Sequence, residues 1–168
     1  MNLTGKQLVE QGIMIGEIPA GNVQQHGVDL NVIKIHKMIG NGVIPKEGKT
    51  ILVQYQEVPN NEVKEGSPLQ WYLEPGAYNV EFQQGCKIPA DKMLLIRQRS
   101  SMLRNGAFLH SSVFDAGFET DSIGTVIVVM QPIVIHVGAR IAQIYAHNSN
   151  VVENLYQGQF QGDSQRKA

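Results

Sequence analysis

The chain holds a single cysteine, Cys86, in 168 residues. No disulfide framework and no Cys-x-x-Cys zinc or redox site can form within it, and a reducing interior, the cytoplasm, is the expected setting. Net charge is nearly absent as well: fourteen basic residues face fifteen acidic ones, and the pI is near 6.5. No overall field is available to grip a nucleic-acid backbone or an anionic membrane, so neither is an expected partner, and any phosphate must be met locally. Long apolar runs are also missing. TVIVVMQPIVIHV is the most apolar segment, but Gln131-Pro132 divides it and neither half is long enough to cross a bilayer as a helix; two buried strands joined at a turn are expected. The opening MNLTGKQLVEQGIMI has neither the positive flank nor the apolar stretch of an export signal. His26, His36, His110, His136 and His147 show none of the spacings that hold zinc, and His136 inside IVIHV reads as a core or strand residue.

What is present points to one domain, with a core large enough to fold unaided. Thr4 and Gln7 have capping-box spacing, Leu3, Leu8 and Val9 can share a face, and Gly12 stands where a helix would stop. One short N-terminal helix follows from this. Beyond it the runs VDLNVIKI, KTILVQYQEV, LQWYLEP, YNVEFQQG, DKMLLIRQRS, GTVIVVM, IVIHV and RIAQIYAH are short and β-branched or aromatic, with most of the seven prolines and seventeen glycines between them. The expected class is all-β, a barrel or sandwich. The tail NLYQGQFQGDSQRKA reads, on composition, either as a frayed terminus or as a flap that orders over a ligand.

Two short stretches carry candidate chemistry. RQRSSMLRNG, residues 97 to 106, gathers three arginines and two adjacent hydroxyls directly after a strand-like run. Arg99, Ser100 and Ser101 can form an anion cradle because guanidinium donors match phosphate oxygens in pairs, and Arg104 joins that side if SSML begins a helical turn. Taken alone, the same residues make a solvated turn. In VFDAGF, Asp115 follows two hydrophobic residues that can partly desolvate it, keeping it a usable acceptor for a proton from water, while Ala116 and Gly117 leave room for an approaching group. Taken alone, Asp-x-Gly is a turn signature.

Five motifs occur in a fixed order: HGVDL (26–30), RSSMLRNG (99–106), VFDAGF (113–118), GARIAQI (138–144) and YQGQFQG (156–162). In that order they resemble the dUTPase and dCTP deaminase superfamily, and the tail is similar to that of archaeal-type dUTPases. The resemblance implies a distorted β-barrel over residues 1–155 with a short N-terminal helix, and a tail, 156–168, closing over the active site. It implies a homotrimer with shared active sites, a deoxynucleoside triphosphate as substrate, Mg²⁺ bound mainly by the triphosphate, and dUMP and pyrophosphate as products. Asp115 would orient and deprotonate the attacking water, with Phe118 stacked on the deoxyribose to reject a 2′-hydroxyl. Arg99, Ser100 and Ser101 would hold phosphates, Gln143 would contact phosphate or ordered water, and Asp29 would anchor the sugar or the metal's water shell. Phe160 would close over the uracil.

The deaminase branch of the superfamily requires a glutamate about ten residues beyond the aspartate, where this chain has Thr125. Glu119 and Asp121 are the nearest acids and are expected in a turn facing solvent. The resemblance therefore implies hydrolysis of dUTP, with dCTP deamination or an enzyme acting on an altered-base deoxynucleotide as the alternative, and a weakly catalytic nucleotide-binding regulator of the same fold as a further one. Two departures stand out. The turn DAGFETDSIG has one or two residues more than the family's, and Gln157 stands where an arginine commonly precedes the tail glycine, leaving Arg166 or Lys167 as γ-phosphate partners.

Overall fold

Thr4 caps the first element as its spacing predicts: its side chain accepts from Gln7 N–H, and the Gln7 side chain accepts in return from Thr4 N–H at 2.9 Å. The helix is α1, Gly5–Glu10, and Leu8 on its inner face is buried. Gly5 lies so close to the Gln24 and Gly27 carbonyls that a methyl group there would collide with main chain, which fixes α1 against the sheet. The computed structural model describes residues 3–162, and everything below concerns those.

The other elements are strands, apart from a single 3-10 turn at Ala20–Asn22 and one further short helix. In chain order come β1 (Met14–Ile15), β2 (Val23–Gln24), β3 (Gly27–Ile39), β4 (Gln54–Glu57), β5 (Gln70–Leu73) and β6 (Gly76–Phe82). Then follow β7 (Gly85–Lys87), β8 (Lys92–Gln98), the five-residue helix α2 (Ser100–Arg104), β9 (Ala107–His110), β10 (Glu119–Thr120), β11 (Gly124–Val129), β12 (Ile133–His136) and β13 (Arg140–Asn148). The main sheet runs β8-β13-β3-β6-β11-β9, with β2 and β4 both pairing with β3. Its two ends meet. Just past β9, Phe114 bridges antiparallel to Leu94 of β8, exchanging two main-chain hydrogen bonds of 3.0 Å. That seam makes the sheet a nearly closed, distorted barrel, and closure removes edges that would otherwise seek partners. Inside it lie Val28, Leu30, Val80, Phe82, Leu94, Ile96, Ile127 and Ile144, each essentially inaccessible.

Several expectations need amendment. KTILVQYQEV is strand only over Gln54–Glu57, with a single bridge pairing Ile51 to Val43. The two halves of TVIVVMQPIVIHV do not pair with each other: β11 joins β6 and β9, while β12 pairs with β5, and only Ile135 of β12 is buried. His136 is accordingly an exposed strand residue, not a core one. Glu119 lies on β10 and not in a turn, exposed and 3.2 Å from Lys87. Burial pushes the Cys86 thiol up to about 12, so it carries no thiolate at neutral pH and is no nucleophile. Among the described residues no helix is long and apolar enough to cross a membrane.

Candidate active site

The sheet register brings three polar side chains into one row. On β13, Gln143 stands opposite Asp29 of β3 and, on its other side, opposite Arg97 of β8. Gln143 Nε2 donates to Asp29 Oδ1 at 3.3 Å. Asp29 is 1% exposed, and a buried carboxylate needs compensating charge. Arg99 Nε at 3.3 Å and Arg140 Nη1 at 3.4 Å supply it. Neither guanidinium is aligned well enough to satisfy Asp29 Oδ2 as a hydrogen bond, so the attraction is one of charge. Arg99 Nη1 also donates to the Arg140 carbonyl at 3.1 Å. A cavity of about 250 Å³ opens over this row, lined by Gln24, Asp29, Arg97, Arg99, Ser100 and Gln143.

This cradle contains the expected Arg99, Ser100, Gln143 and Asp29. Asp29 lies at the cavity floor facing two arginines, which with the Gln143 amide offset the burial of its charge. Arg140 was missed. It belongs to the GARIAQI motif, but the bulge between Arg140 and Ala142, which alters its position relative to β3, leaves no mark in the sequence. Ser101 and Arg104 lie on α2, exposed and outside the cavity lining.

The second cavity, about 300 Å³, is built where β9 parts from β11. The two strands pair as far as His110 opposite Val126. Beyond that point the chain from Ser111 to Asp115 swings away, and the Gly124–Thr125 edge has no further ladder partner on that side among the described residues. The gap is lined by Asn79, Asp115, Phe118, Thr125, Tyr156 and Phe160, among others. Thr125 is buried and donates from Oγ1 to the His110 carbonyl at 2.6 Å. Phe118, 8% exposed, packs obliquely on Phe114 and edge-on against Tyr156, each at 5.6 Å between ring centres. Asp115 is exposed: within one chain Phe114 turns into the barrel seam and the aromatic cluster and Val113 is itself exposed, so neither desolvates a side chain that lines the open cavity.

Asp115 and Arg99 are therefore not neighbours. Asp115 follows Phe114, which is bridged to Leu94, and Arg99 lies five residues further along from Leu94, roughly 16 Å at about 3.3 Å per strand residue. With that main-chain separation, and with Arg99 turned to Asp29 while Asp115 lines the other cavity, the two side chains do not converge on the roughly 3 Å contacts that one shared phosphate would need. Within a single protomer the base candidate and the anion cradle occupy separate cavities.

The tail passes over the second cavity. Tyr156 N–H donates to the Ala116 carbonyl at 2.8 Å, and Phe160 reaches the cavity wall while remaining 39% exposed. The expected contributor Arg166, with Lys167, lies outside the described residues. Gly117 is what lets the tail come so close, for it has φ +86° and an added Cβ would stand 2.6 Å from Leu155 Cβ. Gly117→Ala should therefore lift the tail: the Tyr156 amide is expected to exchange with solvent at least about tenfold faster than in the parent chain, left-handed backbone costing a non-glycine residue ~1–2 kcal/mol before any collision. Unaltered exchange would mean that the contact is not what holds the tail.

Comparison with known proteins gives the family and the fold. A family model described as dCTP deaminase-like matches residues 3–148. The deoxyuridine 5′-triphosphate nucleotidohydrolase of Methanocaldococcus jannaschii is 38% identical over 141 residues, covering 83% of this chain and 87% of that protein. A probable deoxyuridine 5′-triphosphate nucleotidohydrolase of Aeropyrum pernix is 31% identical over 166 residues, 97% of this chain and 99% of that one. Among solved structures, 2′-deoxycytidine 5′-triphosphate deaminase from Agrobacterium tumefaciens superposes with a TM-score of 0.63 at 18% identity, over 86% of this chain and 47% of that one, a likeness of fold.

Proposed function

The chain belongs to the dUTPase and dCTP deaminase superfamily, and from that premise we propose that it is a dUTP nucleotidohydrolase, converting dUTP and water to dUMP and pyrophosphate. The observation that carries the choice of branch is Thr125. Attack on C4 of cytosine needs a group that passes protons, and at this place in the cavity the chain offers a hydroxyl already committed to the His110 carbonyl. No residue of β11 carries a carboxylate. Uracil instead needs main-chain donors and acceptors of the right polarity, which the unpaired edge at Gly124–Thr125 is placed to provide; cytosine would invert them and leave buried groups unpaired at roughly 1–3 kcal/mol each.

In this reading the nucleoside occupies the cavity of one protomer, with Phe118 beneath the deoxyribose and Phe160 over the base. The triphosphate extends to Arg99, Ser100 and Gln143 of a neighbouring protomer. The wide separation of Asp115 and Arg99 supports a site shared between chains, and a closed ring of three such protomers satisfies every site identically. Assembly also supplies the desolvation that Asp115 lacks in one chain. Asp115 takes a proton from water as its oxygen bonds to the α-phosphorus; the bond from that phosphorus to the bridging oxygen breaks and pyrophosphate departs. The arginines contribute by matching charge on the phosphates, and the aromatic walls by alignment, the two requirements that dominate phosphoryl transfer.

The donor set bears on the metal. Among the described residues no three His, Cys, Asp or Glu side chains converge as ligands, and Asp29 faces arginines. That fits a magnesium ion held by substrate phosphates. When bound there, Mg²⁺ supplies charge neutralisation and polarises the phosphoryl oxygens.

The test is incubation with Mg²⁺ and either dUTP or dCTP, reading pyrophosphate and ammonia separately. Pyrophosphate from dUTP with no ammonia from dCTP is expected. Ammonia from dCTP would move the chain to the deaminase branch, and binding without turnover of any nucleotide would make it a regulator.

A further inference from the structure

Two glutamine side chains on either side of Phe160 fasten the tail in the same way. Gln159 Oε1 accepts from Thr50 N–H at 3.2 Å and its Nε2 donates to the Thr50 carbonyl at 3.0 Å. Gln161 Nε2 donates to the Gly117 carbonyl at 2.8 Å and its Oε1 accepts from Glu119 N–H at 3.3 Å. Each amide offers one donor and one acceptor to one acceptor and one donor of main chain, as a neighbouring strand would. Thr50 lies in the loop that the Val43–Ile51 bridge closes, immediately before Ile51, and has no partner strand of its own at that position among the described residues. The second clamp straddles Phe118, taking the main-chain group before it and the one after it. A third contact steadies the turn between: Tyr156 hydroxyl accepts from Phe160 N–H at 3.3 Å. Phe160 is thus suspended between two anchors, one on the loop before β4 and one on the turn that carries Asp115 and Phe118.

We infer that Gln159 and Gln161 are positioning residues that hold Phe160 over the nucleoside cavity, and that Gln161 ties tail closure to the placement of Phe118. The inference rests on the hydrolase reading for its catalytic half only. Glutamine is required at both places because each clamp needs a donor and an acceptor on one planar group. A carboxylate would set an oxygen against a carbonyl, and methionine, similar in shape, can make neither bond. Since closure draws on hydrogen bonds in partial contact with water, each clamp is modest alone, and a tail held so can open to admit substrate.

The test uses the full chain with Gln159→Met, Gln161→Met and the double substitution, none of which touches the barrel core. Limited chymotrypsin digestion without nucleotide reads the latch itself: cleavage after Tyr156 or Phe160 is expected to quicken roughly tenfold in each single variant and further in the double one. Melting temperature is expected to stay at the parent value, and kcat/KM for dUTP to fall by roughly the same factor as cleavage rises. Cleavage equal to the parent in either variant overturns the latch at that glutamine. Faster cleavage with undiminished dUTP turnover overturns its positioning role. A parent chain that does not hydrolyse dUTP at all removes the catalytic half, and the digestion result then decides the latch by itself.

Discussion

Asp115→Asn leaves nucleotide affinity within a few-fold of the parent and lowers kcat at least about a hundredfold, the lower end of what a positioned general base contributes. The substitution keeps the side chain's size and its hydrogen-bonding reach while removing the group that accepts the proton. That carboxylate is exposed and takes part in no ion pair among the described residues, so the fold is not expected to depend on it. A calorimetric titration with a non-hydrolysable dUTP analogue, set beside pyrophosphate release from dUTP, separates the two quantities. Loss of binding in proportion to loss of rate would show Asp115 to be a phosphate or metal contact, and an unchanged rate would place the base elsewhere.

Activity regained on mixing two inactive variants is the second large effect. Asp115→Asn damages the nucleoside cavity, and Arg99→Ala the cradle, roughly 16 Å away along β8 and its seam. If each site takes its cavity from one protomer and its cradle from the next, refolding equal amounts together creates sites in which both halves are intact. Random assembly makes about one quarter of the sites complete, so roughly a quarter of the parent activity is expected from partners that are each almost inert. Were both halves drawn from one chain, every site would carry one lesion and no activity would return. Arg99→Ala retains Arg140 beside Asp29, so circular dichroism of that variant alone is expected to match the parent and exclude misfolding as the cause.

The sequence revealed much of this where the determinants are local. The Thr4–Gln7 box and the stop at Gly12 place α1 because capping is settled within a few residues, and runs such as KMLLIRQ and RIAQIYAHN show the alternating burial of strands. Strands β7, β9 and β10 have two to four residues each, too few for periodicity to register. What could not be read is what depends on register. Gln143 meets Asp29 only because β13 and β3 align after a bulge, and Arg140 joins them through that same bulge. Sequence distance misled in the other direction: Arg99 and Asp115 are close in the chain, but α2 and β9 intervene and the Leu94–Phe114 seam carries them apart. Of the residues the motifs single out within the described part of the chain, Asp29, Arg99, Ser100, Asp115, Phe118, Gln143 and Phe160 line one cavity or the other, while Ser101 and Arg104 line neither.

Asp29 bears on how a catalytic cycle would end. Arg99 and Arg140 together offer two positive charges, and the carboxylate beneath them takes one back, so this part of the cradle is a mild attractor for anions. Pyrophosphate carries more charge density than the triphosphate from which it is cut, and a floor of unopposed guanidinium would retain it. With Asp29 in place, the leaving anion meets a surface already half satisfied, and its departure need not become the slow event that product release is in so many enzymes.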